Sequence, residues 1–384
     1  MKVLNIDEEG RFGGPERRIV GVAVALNEKN IQTTVLMPIA QSSYFQQACT
    51  DRAVLFACLD ITRLTLDKKI LVKYVLGFVN ELIKIRRYIK DGDFDIVHVN
   101  GSYQFKSGLA AFLSGSKVVW HLNDTYAHPL VRFAFAMVSK FSRPVFVVAG
   151  QKVGEYYLEE GRRNRAMEIH APVDTKLFYP REDPLIKDKK IIVVSTVTNS
   201  AAAKGLDVFI ESAYKIWLKN PNVEFHVACP VRESGKAFYN DCLMRIEELF
   251  GTEKIASPIK LFDFVDSVPD FLRRSDLFLY TSRTEASPTA VWEAMASGLP
   301  IVTTDVGSVR QYVREGFVGY VCKLDDVDDL SNSVLDIIGS NSFKKMSKHS
   351  RKAALDLLSI ERAASLHSEI YKLALERKGD GFGV

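Results

Sequence analysis

The chain has 384 residues, is 47% apolar and 26% charged, and carries a formal charge of +4. That length allows two domains with cores of their own, and that composition argues against extended disorder. The small net charge, with no Lys/Arg run interleaved with aromatic platforms, argues against a nucleic-acid partner. Five cysteines (Cys49, Cys58, Cys229, Cys242, Cys322) are scattered and never form a CxxC pair, which fits a reducing compartment without a zinc site. No apolar run approaches the ~20 residues of a membrane span. The start, MKVLNIDEEG, meets acidic residues at once and reads as a first strand rather than a signal peptide, so a cytoplasmic location is expected.

In chain order, short β-branched runs alternate with longer helical patterns. Strands are expected at 3–6, 33–37, 95–99, 117–122 and 145–149, then at 191–195, 223–228, 259–262, 276–280, 300–304 and 319–323. Near-continuous apolar strands separated by helices mean parallel sheets covered on both faces. The series restarts after FYPREDPLIKDKK at 178–190, the expected linker. The division expected is therefore an α/β first domain at 1–180, a second at 181–355, and a helical tail at 356–384 packing back toward the first. In doubly wound folds ligands bind beyond the carboxyl ends of the strands.

Within that order, RFGGPERRIV at 11–20 turns from the first strand into its helix, and Gly13 and Gly14 permit close approach to a ligand. KKILVKYVLGFVNELIKIRRYIK at 68–90 is amphipathic. Residues 60–90 carry eight Lys/Arg (63, 68, 69, 73, 84, 86, 87, 90) against three acids (60, 67, 81). This helix is either a packed element with a solvated basic face or a docking surface for an anionic membrane. Lys204, in AAAKGLDVFI, sits at a helix start, where its charge opposes the dipole and wants an anion.

SRTEASPTAVWEAMASG at 282–298 is the most informative stretch. Ser287 stands where an N-cap would, Pro288 at the first helical position and Gly298 just past the end. The N–H groups of Thr289, Ala290 and Val291 would point out of the helix start and seat an anion. Glu285 lies just before the helix and Glu293 inside it, two acceptor-only carboxylates beside that seat. A ligand rich in both hydroxyls and phosphate suits the arrangement.

Continued through SPTAVWEAMASGLPIVTTDVGS, the stretch resembles glycosyltransferase family 4, a retaining family with the GT-B fold of two facing Rossmann-like domains. Glu285, Glu293, Ala294, Met295, Ala296, Gly298, Pro300, Asp305 and Gly307 match its pattern, whereas Ala286 and Ser308 replace glycines. IHAPVDTKLFYP at 169–180, LFDFVDSVPDFLRRSDLFLYTSRTE at 261–285, DIVHVN at 95–100 and VVWHLND at 118–124 extend the resemblance.

The resemblance implies that Glu293 binds the ribose hydroxyls of a nucleotide and Glu285 the hydroxyls of the transferred sugar. The N–H groups around Thr289–Val291, with Ser287 and Pro288, hold sugar or diphosphate, and Lys204 stabilises the leaving diphosphate. It places Gly13 and Gly14 near donor phosphates and acceptor, and His121 near the reacting sugar. The family's usual arginine is missing, since Thr198 and Asn199 stand in its place. Asn199 joins the expected donor contacts, and Arg232 is a candidate replacement cation. DGDFD at 91–95 reads as a surface turn rather than a metal-binding pair, so neither metal nor cofactor is expected. The donor expected is a nucleotide-diphosphate sugar, a UDP-sugar in first place, and the acceptor a glycan or polyprenyl-linked glycan of a bacterial cell surface. Two other readings stand beside this one: an epimerase or phosphorylase on the same fold, and a non-catalytic nucleotide-sugar-binding protein.

Overall fold

The computed structural model describes residues 1–65, 67–182, 191–251, 257–340 and 342–377. The chain divides into two compact units, Met1–Pro172 with Ile360–Val384, and Val173–Ser359. Residues 173–180, assigned above to the first domain, belong to the second unit, where Val173 and Phe178 are buried in its core. Most of the expected linker, 183–190, lies outside the described residues.

Unit 1 runs β1 (Lys2–Ile6), α1 (Gly14–Asn27), β2 (Gln32–Pro38), α2 (Ser43–Asp51), β3 (Leu55–Leu59), α3 (Lys68–Gly92), β4 (Ile96–Asn100), α4 (Phe105–Leu113), β5 (Lys117–Leu122), α5 (Pro129–Ser142), β6 (Val145–Val148), α6 (Gln151–Tyr157), α7 (Glu160–Arg163) and β7 (Met167–Glu168). Its strands form one parallel sheet in the order β3-β2-β1-β4-β5-β6-β7. Unit 2 runs β8 (Ile192–Val197), α8 (Leu206–Lys219), β9 (Val223–Ala228), α9 (Lys236–Phe250), β10 (Ile259–Phe262), α10 (Val268–Arg273), β11 (Leu277–Tyr280), α11 (Thr289–Ala296), β12 (Ile301–Thr304), α12 (Val309–Tyr312), β13 (Gly319–Cys322), α13 (Val327–Gly339) and α14 (Phe343–Ala353). Its parallel sheet has the order β10-β9-β8-β11-β12-β13. The last helix, α15 (Ile360–Glu376), returns to unit 1, where Ala363, Ala364, Ile370 and Tyr371 join a core cluster with Val22 and Leu26 of α1.

Both units are thus doubly wound α/β domains, as the alternation predicts. β3 and the two-residue β7 are additional to the expected strands. β3 is an edge strand whose residues are exposed or half-buried, so LFACL lacks the continuous apolar signature of an interior strand. Each sheet order reverses beside its first strand, at β1/β4 and at β8/β11, and there the crevice at the strand carboxyl ends opens.

Candidate active site

At the reversal point of unit 2, two loops follow β8 and β11. The first carries Lys204 at the end of a short helical turn, Ala202–Lys204, and then Gly205 at φ +67°. A Cβ on Gly205 would stand 2.0 Å from the Thr281 carbonyl oxygen, so only glycine fits between the loops. The Thr281 hydroxyl donates to the Gly205 carbonyl at 2.7 Å, and the Arg283 N–H donates to the Ala203 carbonyl at 2.8 Å. The Arg283 guanidinium completes the strap. It holds Asp207 bidentately (3.0 and 2.8 Å), the Ala202 carbonyl at 2.8 Å and Asp325 at 2.8 Å.

This strap sets Lys204 against Glu285. The Lys204 ammonium and the Tyr280 hydroxyl both donate to Glu285 Oε1, with Ser282 Oγ at 3.3 Å from the same oxygen. Oε2 makes no hydrogen bond among the described residues, which leaves it for a ligand hydroxyl. Tyr280 is buried at the end of β11, and burial together with the Glu285 charge pushes its hydroxyl pKa far above the usual tyrosine range. It therefore stays a donor at any physiological pH. The Glu293 charge pushes in the same direction, so both glutamates lie near Tyr280.

The helix start differs from expectation. α11 begins at Thr289 with Pro288 as its cap, and the Ser287 hydroxyl does not cap it but lies 3.0 Å from the Trp292 Nε1–H, which donates to it. The Val291 N–H is also used, bonding to the Pro288 carbonyl at 3.0 Å. The anion seat thus narrows to Thr289 and Ala290, the first two helical residues, whose N–H groups have no acceptor inside the helix. Gly307, at φ +53°, packs so closely on the preceding loop that a Cβ would lie 2.7 Å from the Ala286 carbonyl oxygen.

Asn199 and Arg232 stand beside this site. Asn199 Oδ1 accepts from the Ala201 N–H at 3.0 Å and shapes the lysine loop. The Arg232 N–H donates to Ser200 Oγ at 2.8 Å, which ties its loop to the lysine loop. Its guanidinium is exposed and forms no hydrogen bond or ion pair among the described residues.

In unit 1, Gly13 caps α1 and donates its N–H to Glu16 Oε2 at 2.6 Å. Beyond its chain neighbours and its own helix backbone, no described atom lies within 4 Å of where a Gly14 side chain would begin, so tertiary packing does not require glycine there. His121 does not line an open surface: it is fully buried in a three-ring cluster, stacked on His98 at 5.6 Å and tilted against His367 at 5.7 Å. Arg18 from α1 donates to its Nδ1 at 2.6 Å, and α15 covers it with His367 and Tyr371. Burial and the Arg18 charge hold the His121 pKa well below the usual range.

The ring nitrogens of His98, His121 and His367 lie within 4.8 Å of one another, a spacing that raises the question of a metal. The donor set does not fit one. Arg18 already fills His121 Nδ1, so metal at Nε2 would require an imidazolate beside a buried guanidinium. DGDFD ends α3 with Asp91 and Gly92 and then turns, with Asp93 left-handed after the helix and Asp95 accepting from the Lys2 N–H at 2.7 Å.

The reversal point of unit 1 holds a cavity of about 340 Å³ whose charged walls are Asp7, Glu8, Glu9, Glu16, Asp124 and Arg63. Desolvation raises the pKa of Asp7, Glu8, Glu16 and Asp124. The Asp-Glu-Glu run directly after β1 was the available sequence signal for this cavity. Tyr280, Arg283 and Asp207 carried none, since their roles depend on loops far apart in sequence.

A family profile described as Glycosyltransferase Family 4 matches residues 12–177, and one described as Glycosyl transferases group 1 matches residues 178–355. N-acetyl-alpha-D-glucosaminyl L-malate synthase of Bacillus anthracis is 27% identical over 107 residues, 28% of this chain and 28% of its own length. UDP-Gal:alpha-D-GlcNAc-diphosphoundecaprenol alpha-1,3-galactosyltransferase of Escherichia coli is 25% identical over 111 residues, 29% of each chain. D-inositol 3-phosphate glycosyltransferase of Mycobacterium sp. (strain JLS) is 24% identical over 302 residues, 70% of this chain and 64% of its own. The matched region spans less than two thirds of each of these curated relatives. Among solved structures, HepE of Anabaena in complex with UDP superposes with a TM-score of 0.81 at 16% identity, covering 97% of this chain and 100% of that one. A glycosyltransferase from Rickettsia africae gives 0.80 at 17% identity, covering 98% and 99%. These structures share the fold, and with the two profiles that together span residues 12–355 they establish that the chain belongs to glycosyltransferase family 4, with the GT-B architecture of two Rossmann-like units.

Proposed function

We propose that the chain moves a sugar, with retention of configuration, from a nucleotide-diphosphate sugar to a glycan or polyprenyl-linked glycan during bacterial cell-surface polysaccharide synthesis. The observation that carries this reading is Lys204 and Glu285 held together at the β8/β11 reversal point, beside the start of α11. The names of two relatives support a UDP-sugar donor: a UDP-Gal-dependent transferase, and a structure in complex with UDP.

In this mechanism the Thr289 and Ala290 N–H groups and Lys204 meet the diphosphate, Glu293 the ribose hydroxyls, and Glu285 Oε2 a hydroxyl of the sugar. The acceptor oxygen attacks the anomeric carbon from the face that the diphosphate leaves. The anomeric C–O bond breaks, and its electron pair goes to the phosphate oxygen, which takes the acceptor's proton. Lys204 stabilises charge that grows on that oxygen, a preorganised electrostatic contribution. We assign the acceptor to the acidic cavity of unit 1, whose carboxylates accept from hydroxyls and repel phosphate. We place the reaction at the inner face of the cell membrane; no described helix is long and apolar enough to cross one.

The test is nucleotide release from a panel of UDP-sugars with and without a glycan acceptor. Release that requires the acceptor supports a transferase. Interconversion of the sugar without acceptor, phosphate-dependent cleavage, or binding with no turnover would replace it by the epimerase, phosphorylase or binding-protein reading.

A further inference from the structure

The helices α3, α4 and α5 lie on one face of the unit 1 sheet. Their crossovers all run in the direction β1 to β6, opposite to those of α1 and α2, and right-handed connections put them together on one side. α3 buries Tyr74, Glu81, Ile85 and Ile89. On the opposite side Val72, Val75, Leu76, Val79 and Ile83 form a continuous stripe that faces out, with Leu76 81% exposed. The stripe is roughly 17 Å long at 1.5 Å per residue. α5 repeats the pattern: Phe135 is buried, whereas Leu130, Phe133, Met137 and Phe141 face out at helical spacing, with Phe133 68% exposed. Phe112 and Leu113, at the end of the intervening α4, are exposed as well. Scattered exposed apolar residues are ordinary, but two stripes on the helices flanking α4, with Phe112 and Leu113 of α4 between them, mark an interaction surface.

Charge chooses the partner. Lys68 and Lys69 lie at one end of the α3 stripe, Arg87 and Lys90 at the other, and Lys140 flanks that of α5. Among the described residues of the two helices Asp91 is the exposed acid, with Asp67 and Asp93 exposed at the caps of α3. We propose that this face inserts its two apolar stripes into the headgroup boundary of an anionic bilayer, with the flanking cations on lipid phosphates. The surface extends beyond the basic segment noted in the sequence, and its cations differ. Lys84 reaches the Asp60 carbonyl at 3.4 Å and Arg86 Nε donates to the Leu113 carbonyl at 3.0 Å, so both are engaged by the protein. The inference does not depend on the reaction, and its test needs no activity.

Full-length protein is sedimented with vesicles of phosphatidylglycerol and phosphatidylcholine, and with phosphatidylcholine alone. The parent binds the anionic vesicles and hardly the neutral ones. The set Val75→Ser, Leu76→Ser, Val79→Ser and the set Phe133→Ser, Met137→Ser, Phe141→Ser each weaken binding at least tenfold with unchanged circular dichroism. Lys68→Gln, Lys69→Gln, Lys90→Gln lowers affinity and flattens its salt dependence. Anionic-vesicle binding equal to the parent's in both apolar sets overturns the proposal, as does a parent that ignores anionic vesicles. A parent that is dimeric by light scattering without lipid, and made monomeric by the apolar sets, shows that a second copy covers the face and also overturns it.

Discussion

Lys204 and Glu285, 81 residues apart, form an ion pair in which the ammonium donates to the same carboxylate oxygen that receives the Tyr280 hydroxyl. The pair fixes two loops in the geometry a charged ligand would need and leaves little to reorganise on binding. In the proposed reaction a diphosphate would share Lys204 with Glu285 rather than meet a free cation.

Lys204→Ala should therefore lower turnover more than donor binding. Charge on the departing diphosphate grows as the bond breaks, and loss of a donor aimed at that charge costs roughly hundredfold or more in kcat. UDP affinity should fall less than tenfold by calorimetry. Parallel losses in affinity and kcat would make Lys204 an anchor with no special role in the transition state.

Tyr280→Phe removes one of the donors to Glu285 Oε1 while keeping the ring that packs in the core. Tyr280 acts through Glu285 as a positioning residue. The expected cost is about 1 kcal/mol, read as a five- to tenfold fall in kcat with KM for donor little changed. Its pKa lies far above the usual value, so the hydroxyl donates throughout the working range and the pH–rate profile should keep its shape in the variant. A fall in thermal stability with unaltered kcat would restrict Tyr280 to packing.

Much of this architecture was legible in the sequence because it is periodic or locally punctuated. Interior strands such as VVWHL and DLFLY are mostly apolar, and Gly298, just past the end of α11, marks a turn at φ +73°. Ser287 misled because an N-cap and an acceptor for a buried indole look alike in sequence, and Trp292 claims its oxygen. His121 misled because a strand end suggests an open rim, yet Arg18 and the returning helix α15 close over it. No short-range pattern announces that residues 246 apart will pack ring against ring, as His121 and His367 do. The same holds for Arg283 and Asp207, ordinary surface charges until the fold brings their loops together.

Gly205→Ala should disturb both stability and turnover, and a control separates two causes. Gly205 and Gly316 have nearly the same backbone, φ +67° and +68°, which costs an alanine about 1–2 kcal/mol at either position. At Gly316 no described atom beyond the chain neighbours lies within 4 Å of where a Cβ would stand, whereas at Gly205 the Thr281 carbonyl oxygen is 2.0 Å away. Gly316→Ala should lower the melting temperature modestly and leave kcat unchanged. Gly205→Ala should lower it further and lose turnover, since the clash pushes Lys204 away from Glu285. Equal effects of the two substitutions would show that the loops yield without consequence.

The buried imidazoles predict an acid sensitivity in unit 1. His367 is fully buried and donates its Nδ1–H to the Ala363 carbonyl at 2.7 Å; desolvation, with the Arg18 charge next, depresses its pKa to about 3. His98 and His121 are depressed in the same direction. A neutral histidine in the fold becomes a proton acceptor on unfolding, with a pKa near 6.5. Stability from this group is thus fully present above about pH 6.5 and is lost progressively as pH falls toward about 3, by roughly 1.4 kcal/mol per pH unit. Asp7, Glu8 and Glu16 oppose this, because carboxylates with raised pKa values favour the fold at lower pH and lose that contribution as pH rises. Their contribution is common to parent and variant and cancels in the difference between them. Denaturant unfolding of the parent and of His367→Phe at pH 7, 6 and 5 should show the parent losing stability more steeply, by about one proton. Parallel pH dependence in the two proteins would mean that His367 is already protonated in the folded chain.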